Sequence, residues 1–104
     1  MAKTYDPRCP VARAINAVGD GWSVLILRDL FLKKTCKFQD FQQSITRIVP
    51  STLSERLKRL EADDLIEREI YSERPMRLVY KLTMKGKSLG PVILALKRWG
   101  EQNP

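Results

Sequence analysis

The sequence contains no histidine and only two cysteines, Cys9 and Cys36, among its 104 residues. A histidine general base, a Ser-His-Asp triad and a zinc site of cysteine and histidine are therefore excluded by composition. The Gly19-Asp20-Gly21 segment lacks the third glycine and the lysine of a phosphate-binding loop, so it is expected to link two helices. An enzymatic function is not expected, and no metal or cofactor is predicted.

Long apolar runs are also missing. No run approaches the roughly 20 residues of a membrane-spanning helix, and the amino-terminal stretch MAKTYDPRCP has no apolar core of a signal peptide. Two cysteines in such a chain are not expected to form a structural disulfide. We predict a cytoplasmic protein with no membrane contact, built as one domain, because 104 residues suffice for a single core.

Acidic residues are outnumbered by basic ones. The 19 Lys and Arg residues against 12 Asp and Glu residues give a net charge of +7. This balance favours a polyanionic partner, with nucleic acid first and an anionic membrane surface second. Since the chain has no segment for the membrane, double-stranded DNA is the predicted partner.

The stretch that begins at Pro50 has the pattern of an amphipathic helix. Leu53, Leu57 and Leu60 recur at i, i+4 and i+7, which predicts a leucine stripe that faces the core. Two start signals compete, because Pro50 suits the first helical position while Thr52 has the T-x-x-E spacing of a capping box. The helix start is therefore predicted only to within about two residues.

The other faces of this helix carry polar residues suited to a DNA groove. Arginine can bond a guanine edge with two donors, and hydroxyl groups reach bases or phosphates. Thr52, Glu55 and Arg59 are predicted to point away from the leucines, and an ordinary solvated face is the alternative. The predicted contacts to base edges are Ser51, Thr52, Glu55, Arg56 and Arg59, and Lys58 is predicted to contact the DNA backbone or the minor groove.

Two strands and a turn follow the helix. Apolar and charged residues alternate with a period of two over 65–71 and 78–82, which predicts strands. The turn over 72–77 contains Pro75, and Arg74 and Arg77 lie at or near its tip. These arginines suit contact with phosphate or with a narrow minor groove. The alternative is that they only keep an exposed hairpin soluble.

Three further helices are predicted upstream, over 10–18, 22–32 and 38–44. Apolar residues surround almost the whole circumference of 22–32, so this helix should be central. Phe38, Phe41 and Ile45 recur at i, i+3 and i+7, which indicates the first helix of a helix-turn-helix with its turn over 46–49. The predicted order is therefore four helices, two strands and a last helix.

The last helix is predicted from a cap at Thr83 to about Trp99, with a kink near Pro91. An apolar stripe over 89–99 is expected to pack on its own chain, whereas Leu94 lies outside the stripe. Two apolar faces indicate a second partner, for which we predict another copy of the chain. An exposed leucine without a partner is the alternative. The predicted dimer contacts are Val11 and Ile15 of the first helix with Leu94 and Trp99 of the last.

The chain resembles the HxlR-type winged-helix transcriptional regulators over nearly its full length. The resemblance rests on CPVARAI and VGDGWSVLILRDLF at the start, F-x-x-F-x-x-S-I before the turn and LSERLKRLE in the fourth helix. RPMRLVYKLTMKG and LALKRWG follow in the order that is typical of the family. Two positions depart from it: Val49 stands where many members have a capping serine, and Gly21 stands where the family is often basic.

The resemblance implies a homodimer that binds operator DNA, with dimer contacts from the first and last helices. It also places Cys9 at the cysteine that several members use to sense oxidants or electrophiles. The adjacent Arg8 and the start of a helix would favour a thiolate there, whereas packing is the alternative role. Cys36 also has nearby lysines that could lower its pKa, but a lone loop cysteine is more often incidental.

We therefore predict an α+β, mostly helical fold: a winged helix-turn-helix with a two-stranded β-wing and additional N- and C-terminal dimerisation helices. The predicted function is that of a sequence-specific, homodimeric DNA-binding transcriptional regulator. A protein-interaction module of the same fold, without DNA binding, is the alternative from another class. A thiol enzyme built on Cys9 would need a base and a substrate pocket that the sequence does not indicate.

Overall fold

The computed structural model describes residues 5–104. No signal peptide is predicted in the amino-terminal stretch MAKTYDPRCP. Its first four residues lie outside the described residues. The helices are α1 (Pro10–Val18), α2 (Gly21–Lys33), α3 (Phe38–Ser44), α4 (Pro50–Ala62), α5 (Met84–Lys87) and α6 (Gly90–Gln102). The strands are β1 (Thr35–Cys36), β2 (Ile66–Glu73) and β3 (Met76–Leu82). This order confirms the predicted winged helix-turn-helix fold.

The core forms where α2, α3 and α4 pack against one another and against the base of the sheet. Leu53, Leu57 and Leu60 are all at most 2% exposed, which confirms the leucine stripe of α4. Burying a leucine side chain contributes about 1.5–3 kcal/mol, so this stripe fixes which face of α4 is left for other contacts. Phe41 of α3 and Ile26 of α2 complete the centre of the core.

The sheet has three strands, not the two that were predicted. β3 lies in the middle and pairs antiparallel with β2 on one side and with β1 on the other. The strand β1 is only two residues long, Thr35 and Cys36, which is too short to show a period of two. The wing also has a shorter turn than predicted, because Ser72 pairs with Arg77 and Glu73 with Met76.

A polar network joins α2 to the first helix of the helix-turn-helix. Asp29 is 1% exposed, and its Oδ1 atom accepts hydrogen bonds from the Ser44 hydroxyl at 3.0 Å and from Arg28 Nη2 at 2.9 Å. Arg28 Nη2 also donates to Ser44 Oγ at 3.1 Å. A buried carboxylate is stable only when it is paired and hydrogen-bonded. The network therefore holds the end of α3 against α2.

The last helix is broken, whereas one kinked helix was predicted. Thr83 does act as a cap, because its Oγ1 accepts from the Gly86 N–H at 3.0 Å, but the helix it caps ends at Lys87. Pro91 then lies in the first turn of α6. Proline has no N–H and its ring collides with the carbonyl four residues earlier, so Pro91 begins a new helix instead of bending the old one.

Within residues 5–104, no helix has both the length and the apolar character that a bilayer crossing requires.

Candidate nucleic-acid interface

The helix α4 begins at Pro50, so the proline signal is correct and the predicted Thr52 capping box is wrong. Val49 is the N-cap residue, and its apolar side chain makes no capping hydrogen bond. Thr52 lies inside the first turn, and Glu55 pairs with Arg56 Nη1 at 2.8 Å instead of reaching back. The first turn of α4 thus lacks the side-chain acceptor that a serine or threonine cap would supply.

The outer face of α4 consists of Ser51, Glu55 and Lys58, all of which are exposed. They lie opposite the leucine stripe, as the helical period predicts. Thr52 is half-buried at the edge of this face. We refer to Ser51, Glu55 and Lys58 as the outer face of α4.

Arg56 is held by the turn between α1 and α2. Its Nε atom donates to Asp20 Oδ2 at 2.6 Å, and its side chain is only 16% exposed. Asp20 also caps α2, because its Oδ1 atom accepts from the Ser23 N–H at 2.9 Å. The guanidinium group expected to contact a base is therefore engaged within the fold.

Arg59 does not project from the outer face, in contrast to the prediction. It is half-buried on the same flank as Arg56, and its Nη1 atom is buried. A Cβ atom added at Gly19 would lie 3.2 Å from Arg59 Cζ, so the guanidinium group packs on that glycine. The helical period predicted an outward position because it takes no account of the α1–α2 turn, which covers this flank.

The electrostatics of Asp20 reflect this arrangement. Partial burial alone would raise the pKa of its carboxyl, but the Ser23 N–H and the Arg56 guanidinium outweigh burial and hold the pKa below its ordinary value. The charged form is therefore the form that the fold stabilises.

The wing arginines, Arg74 and Arg77, are both exposed. Arg74 lies in the two-residue turn, and Arg77 lies one residue into β3. The body of the wing is braced by Lys81, whose Nζ atom lies 3.1 Å from Glu69 and 3.6 Å from Glu67. The hairpin thus presents its arginines to solvent from a paired ladder.

The two cysteines occupy contrasting environments. Cys9 is exposed at the N-cap of α1, and the neighbouring Arg8 binds Asp6 at 3.0 Å. Cys36 is buried in β1, and burial together with the charge of Asp29 raises the pKa of its thiol to about 11. The predicted loop setting of Cys36 is therefore wrong, and a lowered pKa through its lysines is excluded. Within residues 5–104, no cluster of three or more metal-ligating side chains occurs.

The predicted dimer residues are exposed in the single chain. Val11 and Trp99 are each 67% exposed, and Leu94 is 44% exposed. The apolar stripe predicted over 89–99 packs on its own chain only in part. Of its members, Leu89 and Ile93 touch the core. The remaining members, Val92 and Leu96, face outward with Trp99, since α6 meets α2 along one side only. Ile15 of α1 is also exposed.

A groove of about 570 Å³ runs between α2 and α6. Leu25 and Phe31 line it from α2, and Ile93, Leu94 and Leu96 line it from α6. Its apolar lining continues the exposed surface of α6, so the single chain leaves a wide hydrophobic area in contact with water.

Asp20 is the residue that the sequence interpretation missed at this site. An aspartate directly before a helix is a typical N-cap, so its role in α2 could have been predicted. Its second contact could not, because Arg56 is 36 residues away along the chain. Such a contact is decided by how α2 and α4 pack.

Comparison with known proteins assigns the chain to a family. YodB of Bacillus subtilis, an HTH-type transcriptional regulator, is 33% identical over 102 residues, which cover 98% of this chain and 88% of YodB. An HTH-type transcriptional regulator of Methanothermobacter thermautotrophicus is 40% identical over 93 residues, which cover 89% of this chain and 70% of that protein.

Solved structures give the same result. The oxidized form of the redox regulator HypR superposes with a TM-score of 0.86 at 31% identity and covers 92% of this chain and 98% of that one. Reduced YodB from B. subtilis superposes with a TM-score of 0.75 at 32% identity and covers 91% of this chain and 93% of that one. The HxlR-like helix-turn-helix family matches residues 17–104. The chain therefore belongs to the HxlR-like helix-turn-helix family of transcriptional regulators.

Proposed function

We propose that this protein regulates transcription as a homodimer that binds operator DNA, with α4 in the major groove and the wing on the neighbouring backbone or minor groove. The observation that carries the proposal is the outer face of α4. Three exposed polar side chains lie opposite a buried leucine stripe, and the start of the same helix has no side-chain cap. A helix so placed offers side chains to base edges and backbone N–H groups to a phosphate.

Val49 makes the start of α4 available to a ligand, because its side chain does not cap the helix. Where a capping serine would occupy the first N–H groups, Val49 leaves them for an external acceptor. A DNA phosphate at the start of α4 would accept from these groups and would also benefit from the helix dipole. Ser51 and Thr52 lie within the same turn and can add hydroxyl contacts.

The wing supplies contacts of a different kind. Arg74 and Arg77 are both exposed at the end of the hairpin. Exposed arginines suit phosphate oxygens or a narrow minor groove, both of which lie beside an occupied major groove. Together with Lys58, they account for part of the affinity that a net charge of +7 favours.

The homodimer follows from the apolar residues that the single chain leaves exposed. Val11 and Ile15 on α1 and Leu94, Leu96 and Trp99 on α6 are apolar side chains whose contact with water is unfavourable. A second copy would cover them and would present two copies of α4 about 34 Å apart, one helical turn of DNA. In this proposal the protein works in the cytoplasm, where it reaches the DNA.

A salt titration tests DNA binding. Operator fragments selected from the source genome should bind with an affinity that falls steeply as salt rises, because each phosphate contact releases counterions. Random duplex of the same length should show a similar slope at lower affinity. A chain whose binding ignores salt, or that captures no DNA in selection, would instead fit a protein-interaction module of the same fold.

We also propose that Cys9 makes the regulator responsive to thiol-reactive effectors. Two observations support this: Cys9 is exposed where Cys36 is buried, and the similar proteins include redox regulators. Alkylation should therefore be fast at Cys9 and slow at Cys36, whose thiol with a pKa of about 11 is almost wholly protonated at neutral pH.

Diamide separates the two cysteines in a functional assay. Treatment should release operator DNA from the wild-type protein and from Cys36→Ser, but not from Cys9→Ser. Release that persists in Cys9→Ser would remove Cys9 from the response and leave it a packing role.

A further inference from the structure

The geometry points to Asp20 as a positioning residue for DNA recognition: with Gly19, it forms a joint that sets the orientation of α4 by holding Arg56 and Arg59. This inference rests on the proposed function of α4 as the DNA-reading helix. It assigns the two arginines of α4 to the fold and leaves base contacts to the outer face.

One carboxylate connects two helices at this joint. Asp20 Oδ1 accepts the Ser23 N–H at the start of α2, at 2.9 Å, and Oδ2 accepts Arg56 Nε on α4, at 2.6 Å. The side chains of the ion pair are 16% and 27% exposed. A charge-assisted hydrogen bond in such a partly buried setting is stronger and more directional than one on the open surface. It therefore restricts rotation of α4 about its own axis.

Arg59 adds a second point of contact one turn further along α4. Its guanidinium group lies against Gly19, which has a φ of +86° and ends α1. Glycine is needed here for two reasons: other residues rarely adopt this φ, and a Cβ atom would lie only 3.2–3.3 Å from three atoms of the guanidinium group. Two contacts on one flank fix an orientation that a single contact would leave free to pivot.

The joint lies between α1, which carries residues of the proposed dimer interface, and α4, which is proposed to read DNA. α1, which ends at Gly19, carries the exposed Val11 and Ile15, and α4 carries the outer face. A functional helix must be held within roughly 0.5 Å and 10–20° of its working position. Asp20 meets this need without touching DNA.

Asp20→Asn isolates the positioning role. Asparagine caps a helix as well as aspartate does, so the Ser23 contact is kept, while Arg56 loses a charged partner. We expect operator affinity to fall about tenfold, which is the effect of one mismatched base pair. Electrostatics alone predicts the opposite, because removing a carboxylate raises the affinity for a polyanion. Operator affinity that stays unchanged or increases would overturn the inference.

The partner variant separates positioning from direct contact. Arg56→Gln should reduce operator affinity at least as much as Asp20→Asn does, because it also breaks the pair with Glu55. The double variant should lose no more than Arg56→Gln alone, because both changes break the Asp20–Arg56 interaction. Random DNA should change by less than about twofold. Additive losses, or an equal loss on random DNA for Arg56→Gln alone, would make Arg56 a DNA contact.

Residual dipolar couplings of the α2 and α4 amides give a readout that needs no DNA. The angle between the two helices should change by on the order of 10° in Asp20→Asn. Asp6→Asn is the matched control: it makes the same charge change at a carboxylate that binds Arg8, and the angle should stay constant. An unchanged angle in Asp20→Asn would overturn the joint. If the wild-type protein binds no DNA, only the proposed function is overturned. The angle between α2 and α4, which is measured without DNA, still tests whether Asp20 orients α4.

Discussion

Two pairs of arginines invite comparison, the flank arginines Arg56 and Arg59 of α4 and the wing arginines Arg74 and Arg77. Both pairs carry the same chemistry and both were predicted to touch DNA. The flank arginines are half-buried and face the α1–α2 turn, whereas the wing arginines are exposed at the end of a hairpin. The residue type and its period are alike in the two pairs, so the difference comes from what is packed opposite.

The two pairs of arginines therefore have different roles in the proposed complex with DNA. Arg56 is bound to Asp20 and Glu55, and Arg59 is packed against Gly19, so in this arrangement both side chains orient α4 and face away from a guanine edge. The wing arginines are exposed and suit phosphate contacts, which position a protein on DNA but carry no direct sequence information. In the proposed complex, base selection is thereby left to Ser51 and Glu55 of the outer face of α4, while Lys58 contacts the backbone or minor groove.

The largest effect is expected from separating the subunits of the proposed dimer, because each copy of the arginine pairs would then bind DNA without the other. Leu94→Glu places a carboxylate in the proposed apolar interface, which costs several kcal/mol. The protein should sediment as a folded monomer, and operator affinity should fall by more than about 100-fold through loss of avidity. Met84→Glu is the control, since Met84 is 84% exposed and lies outside α1 and α6. A Leu94→Glu protein that sediments as a dimer would contradict the interface.

The next effect acts on the base of the wing. A Cβ atom at Gly86 would lie 2.0 Å from the Leu65 carbonyl oxygen, which is backbone and cannot move aside. Gly86→Ala should destabilise the fold by about 1–3 kcal/mol or more, measured by denaturant unfolding. It should also weaken the wing contacts without touching Arg56.

Gly21→Ala is the matched control for Gly86→Ala. A Cβ atom at Gly21 meets nothing within 4 Å, so its stability should change by less than about 1 kcal/mol. Equal stabilities of the two variants would show that the close approach at Gly86 relaxes freely.

A smaller effect is expected from one wing arginine. Arg77→Ala should lower affinity for operator and random DNA alike, and the slope of log affinity against log salt should decrease by about 0.9 per subunit. Arg68→Ala is the matched control, because Arg68 Nε is already bound to Glu61 at 2.8 Å. A loss confined to the operator would make Arg77 a base contact and would move selectivity to the wing.

The smallest effect concerns the acid stability of the joint at Asp20. Because the pKa of Asp20 is lowered by folding, its contribution is complete above the ordinary value of 3.8 and is lost as pH falls through the lower folded value. Wild-type protein should therefore lose more stability than Asp20→Asn when pH drops below about 4. Parallel pH profiles for the two proteins would show that the ion pair adds nothing to stability.

Prediction from sequence succeeded where a pattern is local. The leucine stripe of α4, the proline that starts this helix and the hairpin order each depend on residues within a few positions of one another. The same local rule failed for the Thr52 capping box, because Pro50 gives an equally good start one turn earlier. It also failed for β1, since two residues carry no period.

Prediction of the candidate site was divided in the same way. Ser51, Glu55 and Lys58 were placed correctly on an exposed face, and Arg74 and Arg77 were placed correctly on an exposed hairpin. Arg59 was misplaced because the helical period gives the direction of a side chain but does not show which other segment covers that side of the helix. Asp20 was missed as a partner of Arg56 because the two are far apart in sequence.

The sequence by itself determined the family, the order of the first four helices and the hairpin, and which face of α4 is buried, because apolar periodicity and short motifs act over a few residues. Only the tertiary structure decided that Arg56 binds and Arg59 packs on the α1–α2 turn, and that Cys36 is buried while Cys9 is exposed. It also decided that Leu94, Leu96 and Trp99 of α6 stay 44–67% exposed in the part of the chain that the structure describes. The physical reason is that burial and ion pairing depend on which surfaces meet, and distant segments meet only through packing of the whole chain.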